Sequence, residues 1–125
     1  MNSYLTVFLG AGIGGALRHA INQFAAHWSS AFPVGTLTVN VVGSFLMGVA
    51  VVFFAARGES GSQLNLFFAT GLLGGFTTFS AFSLESAMFA EKGDMATVAL
   101  YIALSVGLSV GALLAGLALA RSALG

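Results

Sequence analysis

Four times this chain runs long enough, and apolar enough, to cross a bilayer: Tyr4–Ala26, Pro33–Ala56, Leu64–Ala90 and Met95–Arg121. A spanning helix needs about 20 consecutive, mostly apolar residues. The separators AHWSS, RGESGSQ and EKGD hold most of the charge and leave no room for a soluble domain. Only 6% of residues are charged, against about 25% in an ordinary soluble domain. The pattern predicts an all-α integral membrane protein, a single domain over residues 1–125, with each segment packed against its sequence neighbours in the lipid bilayer. Tyr4–Ala26 lacks a basic leader and further apolar segments follow it, so it reads as a retained helix and not a secretory signal. Without cysteine there is no disulfide or thiolate metal site. The few basic residues form no cluster of the kind that nucleic acid requires.

Small residues recur at helical spacing in three segments. Gly10 and Gly14 lead to Arg18 in the first, Asn40, Ser44 and Gly48 mark the second, and Gly107, Gly111 and Ala115 mark the last. Such stripes let helices approach closely in lipid. The third segment differs: Gly71, Gly74 and Gly75 sit near its centre and Thr77 and Thr78 follow. Glycine supports unwound backbone, and threonine satisfies backbone groups locally. The third helix is therefore expected to break near its centre, at the glycines. Irregular backbone at that depth is tolerated only where it is buried in protein or lines a cavity.

The charged residues give little topological instruction. Arg57 and Arg121 fall on one side of the membrane, Arg18 and Lys92 on the other. Orientation normally follows Lys/Arg asymmetry, so the even split leaves either orientation open, and with it an antiparallel dimer.

Polar groups inside the spans carry the functional reading. Asn40 is either a clamp between helices or an amide donor turned to an anion. Phe76, Phe79 and Phe82 share a helical face. They are either core or a set of electropositive ring edges beside the hydroxyls of Thr77, Thr78, Ser80 and Ser83. Ser105 and Ser109 either continue a hydroxyl track or bond back to the preceding turn. Arg18 either snorkels to the interface or concentrates anions at a vestibule. Glu85 is expected to pair, to cap a network or to sit at a wet end. The ends of a broken helix suit ions of both signs, its amide end anions and its unwound carbonyls cations. No nucleophile–base pair, paired carboxylates or metal-spaced histidines appear, so an enzyme is not expected.

The stretches GLLGGFTTFSAFSLE, TVNVVGSFLMG, GIGGALRH and YIALSVGLS together resemble the Fluc/CrcB family of fluoride ion channels, over nearly the whole chain. The resemblance implies a passive, fluoride-selective channel in the bacterial inner membrane, exporting cytoplasmic fluoride and relieving its toxicity. It also implies an antiparallel, dual-topology homodimer with two pores and a central structural sodium ion. On that basis Asn40, Phe79 and Phe82 match the pore asparagine and phenylalanines, and Thr78 and Ser83 nearby hydroxyl positions. Tyr101, Ser105 and Ser109 match the fourth-helix polar track, Arg18 the vestibule arginine and Glu85 the third-helix glutamate. Gly74 and Thr77 match the positions whose backbone oxygens hold sodium. The track departs from some relatives at Leu113, where they carry threonine. A small antiparallel multidrug exporter is the alternative, although the first segment lacks the buried acid that proton–cation exchange would use. A structural subunit of a larger membrane complex is the third possibility.

Overall fold

The computed structural model describes residues 2–29 and 31–124. Helix α1 is Ser3–Ala26 and α2 is Val34–Ala56. The third segment begins with α3, which joins Gln63–Asn65, a π-helical stretch Leu66–Leu73 and a last turn Gly74–Phe76. It resumes as α4, Phe79–Glu91, and the chain closes with α5, Met95–Leu124. Every helix start except that of α2, which follows Pro33, is capped by a short polar side chain that accepts from an N–H without a partner in the helix. Asn2 accepts from Tyr4 N at 2.7 Å and Ser62 from Asn65 N at 3.1 Å. Asp94 accepts from the Thr97 hydroxyl at 2.7 Å and the Thr97 amide at 3.2 Å, which hold its carboxyl below the usual range. Gly58 and Gly93 adopt positive φ, 67° and 79°, just beyond the ends of α2 and α4, where glycine stops a helix without steric cost.

The protein is a multi-pass membrane protein. Helix α2, the bent segment Gln63–Glu91 and α5 are each long and apolar enough to span, with mean hydropathies of 2.2, 1.3 and 2.2. Helix α1 is 24 residues long, but Arg18, His19, Asn22 and Gln23 dilute its C-terminal part and it falls outside that group.

The strongest packing does not follow chain order. Helix α1 lies parallel to α3, from a Thr6–Gln63 hydrogen bond of 2.6 Å at one end to an Arg18–Gly75 bond of 3.1 Å at the other. Helix α2 lies along α5, where Gly48 meets Leu113 and Leu117 while Gly116 meets Phe45 and Val49. Sequence neighbours touch less extensively. The reason is steric: Gly10 and Gly14 bring the α1 backbone against Phe67, Leu72 and Phe76, a separation that side chains would forbid. One expected stripe has no partner within this chain. Gly107 and Gly111 face open space, with nothing within 4 Å of an added methyl, and α5 uses Gly116 instead.

The third helix is broken near its centre, as expected, but not at the glycines. Gly71 is part of the π-helical stretch and Gly74 has helical angles, φ −62° and ψ −39°. Extended backbone begins at Thr77 (φ −88°, ψ 159°) and includes Thr78 (φ −152°, ψ 121°). Gly71 and Gly75 serve close approach to Gly10 and Ala11 of α1, whereas a Cβ on Gly74 would meet nothing nearer than 3.9 Å. The threonines carry the break because their hydroxyls can replace lost helical partners.

An alanine at Gly14 would drive its methyl into the Leu72 carbonyl. Overpacking of that kind costs about 1–3 kcal/mol, so Gly14→Ala should lower the thermal midpoint of the purified protein. Gly107→Ala should leave it unchanged. A loss at Gly107 equal to that at Gly14 would mean that the exposed stripe packs against something outside this chain.

Candidate functional site

Interrupting a helix releases donors and acceptors, and around Thr77–Thr78 several can be followed to new partners. The Thr78 N–H, which a continuous helix would give to the Gly74 carbonyl, goes to Asn40 Oδ1 at 2.8 Å. The Thr78 carbonyl accepts from Asn40 Nδ2 at 3.0 Å, so one amide side chain satisfies both backbone groups of one residue. The Ala81 N–H goes to Thr78 Oγ1 at 3.1 Å instead of the Thr77 carbonyl, capping α4. Thr77 Oγ1 bonds back to the Leu73 carbonyl at 3.1 Å. Arg18, half-buried on α1, donates through Nε to the Gly75 carbonyl at 3.1 Å. It turns inward at the level of the break and does not extend away along its helix. Gly74 and Thr77 are left with carbonyls whose helical donors have been taken.

A cavity of about 270 Å³ opens beside the break, between α2, the start of α4 and α5. Asn40, Thr78, Phe79, Phe82, Ser105 and Ser109 lie on its wall. The Ser105 and Ser109 hydroxyls are buried and neither bonds any described group. The back-bonding alternative is thus not taken, and both residues line the cavity while their hydroxyl oxygens lie buried behind its surface. A buried polar group without a partner costs about 1–3 kcal/mol, so a site that keeps two of them is suited to a polar guest.

The aromatic residues divide. Phe82 is 8% exposed and Phe79 is 77% exposed, their ring centroids 5.4 Å apart. Phe82 leans on Tyr101 at 5.2 Å, and Phe32 meets Tyr101 edge-on at 5.4 Å. Tyr101 is fully buried. Its hydroxyl donates to Glu85 Oε1 at 2.9 Å, and Thr36 Oγ1 donates to Glu85 Oε2 at 3.0 Å. Glu85 therefore caps a network, one of the roles expected for it. It also lines a second cavity, of about 580 Å³, whose wall includes Asn22, Phe32, Phe89 and Lys92. Tyr101 touches the walls of both spaces.

The structure thus brings Asn40, Thr78, Phe79, Phe82, Ser105 and Ser109 to one cavity and sets Tyr101 at its edge. Ser83 stands apart: it is exposed and its hydroxyl bonds back to the Phe79 carbonyl at 2.9 Å. Thr36 was missed in the sequence. Its signal was the four-residue spacing Thr36, Asn40, Ser44, which extends the small-residue stripe of α2 by one turn.

Residues 5–117 match the model of the family described as CrcB-like protein, camphor resistance. The chain is 52% identical over 123 residues to the fluoride-specific ion channel FluC of Granulibacter bethesdensis, covering 98% of this chain and 97% of that one. It is 47% identical to the protein of the same name from Methylobacterium nodulans, over 97% of this chain and 98% of the relative. The Rhodopseudomonas palustris protein of that name is also 47% identical, over 96% and 98%.

Thr78 caps α4 through its hydroxyl, and replacing such a cap with alanine costs about 1 kcal/mol. Thr78→Ala should therefore lower thermal stability, while Thr78→Ser, which keeps the oxygen, should retain most of it. Equal melting of the two variants would show that the cap contributes nothing.

Proposed function

The chain belongs to the CrcB-like family, and from that premise we propose that it is a passive channel selective for fluoride, exporting the ion from the cytoplasm across the bacterial inner membrane. Members of this family move ions and do not make or break bonds, and this chain is not an enzyme. The observation that best supports the fluoride reading is the pair of unpartnered hydroxyls, Ser105 and Ser109, beside Asn40 and the rim of Phe82. Hydroxyl and amide donors replace water around a small anion, and ring edges add positive potential. The cavity wall carries no cation, so nothing traps the ion electrostatically. The second cavity, Tyr101 and the first cavity then form successive parts of one path, with Thr78 among the donors along it. Arg18, which has guanidinium donors beyond the one spent on Gly75, raises the local concentration of anions.

In this reading α1 is the fourth span, sheltering its polar end inside the assembly. The functional unit is an antiparallel homodimer. Phe79, which is on the cavity wall yet 77% exposed, favours that arrangement because a second copy would cover it. Ser83, exposed on the same helix, would meet the partner or the pore only there. Sodium fits the break. The Gly74 and Thr77 carbonyls have lost their helical donors to Asn40 and Thr78, and free carbonyls suit a monovalent cation. Two breaks meeting at a dimer centre would offer about four such oxygens. Sodium there would supply positive charge that clamps the assembly, stabilising it by mass action.

Liposomes containing only this protein should release fluoride rapidly without a proton gradient and hold back chloride. Phe82→Ile keeps apolar bulk but removes the ring edge, so its fluoride flux should fall while the protein stays folded. Equal release of the two anions would defeat the selectivity claim, and dependence on a proton gradient would point to a coupled exporter. Single-cysteine labelling of either terminus from each side of the membrane should find both orientations in one population. A single orientation in every copy would rule out dual topology.

A further inference from the structure

We propose that Asn40 is a positioning residue for a cation site at the break, in addition to standing on the wall of the anion cavity. The inference rests on the reading of the break as a sodium site and names the side chain that makes it one. The Gly74 carbonyl is free only because its helical donor, the Thr78 N–H, is held 2.8 Å from Asn40 Oδ1. Without that acceptor, the partner that the chain itself offers this N–H is the helical bond to the Gly74 carbonyl four residues back. Closing that bond would consume the carbonyl and straighten the segment. The second contact, from Asn40 Nδ2 to the Thr78 carbonyl at 3.0 Å, holds the extended geometry and occupies that oxygen. Arg18 likewise occupies the Gly75 carbonyl.

One amide thus divides its groups between two tasks. Its oxygen holds the break open for a cation, and one of its two Nδ2 hydrogens is spent on Thr78. The remaining N–H is left on the side chain that forms part of the cavity wall. Cation binding and anion passage consequently share a residue, through different atoms of it.

That division predicts that two substitutions separate the tasks. Asn40→Asp keeps an oxygen to accept the Thr78 N–H but loses the amide donors. Asn40→Leu is similar in size and loses both. In purified protein titrated with sodium chloride, with choline chloride holding ionic strength constant, thermal midpoint reports cation binding. The Asp variant should need no more sodium than the unsubstituted protein, since it keeps the acceptor and, when ionised, adds a charge that attracts a cation. The Leu variant should need about tenfold more, the equivalent of one hydrogen bond that must be broken to free the carbonyl. The Thr78 carbon chemical shifts should remain extended in the first and move toward helical values in the second. Fluoride flux should fall in both. If Asn40→Leu does not fold, Asn40→Ser, too short to reach Thr78, carries the same expectation. An unshifted sodium response in these two variants, or an Asp variant shifted as far as Leu, would overturn the inference while leaving the cation site standing. Absence of any sodium response in the unsubstituted protein would overturn both, and fluoride flux would still decide the channel reading by itself.

Discussion

A backbone N–H or carbonyl released in the middle of a bilayer has no water to turn to, and this constraint organises the molecule. Breaking a helix between Phe76 and Phe79 frees several such groups at once. Three side chains from three helices take up four of them: Asn40 from α2, Arg18 from α1 and the Thr78 hydroxyl at the head of α4. The fold is what delivers those side chains to the right depth. Gly10 and Gly14 bring α1 close enough for Arg18 to reach Gly75, and the parallel course of α2 and α5 sets Asn40 opposite Ser105. The cavity follows from the same arrangement, because an interrupted helix cannot fill the space that a continuous one would occupy.

Much of this was legible in the sequence. Length and hydropathy gave the four segments almost to the residue, since lipid demands them at a fixed length. The resemblance implied a grouping of Asn40, Thr78, Phe82, Ser105 and Ser109, and the residues line one cavity; polarity alone marked the Asn, Thr and Ser among them as residues that need a reason to be in an apolar span. Other features were not. The break was expected at Gly71, Gly74 and Gly75, where intrinsic flexibility is greatest, yet those residues are helical and the extended pair is Thr77–Thr78. What decides is which residues can re-bond the freed backbone, and a glycine has no side chain with which to do so. The Gly107–Gly111 stripe meets no neighbour within this chain, since spacing records a helical face and leaves open which neighbour it meets.

The choice of role for Asn40 was open in the sequence between clamp and anion donor. The structure shows the clamp, which uses the oxygen and one hydrogen and leaves the other hydrogen without a partner among the described residues. Glu85 resolves in a similar way. A carboxylate beside an anion path would be repulsive if bare, and here both oxygens accept hydrogen bonds, from Thr36 and from Tyr101. Neither partner could be assigned from spacing along one helix, because each lies on a different one.

The matched register of α2 and α5 has an evolutionary consequence. Thr36, Asn40, Ser44 and Gly48 rise one turn at a time beside Tyr101, Ser105, Ser109 and Leu113, two parallel ladders with the same step. A residue inserted or deleted within either ladder would rotate every later rung off its partner, whereas the same change in RGESGSQ or EKGD would rotate none. Lineages descended from such a chain should therefore vary freely in the length of their connectors and hardly at all in the length of these two helices. Where bulk is gained on one rung, as at Leu113, it should be matched by loss on the facing rung, as Gly48 already illustrates.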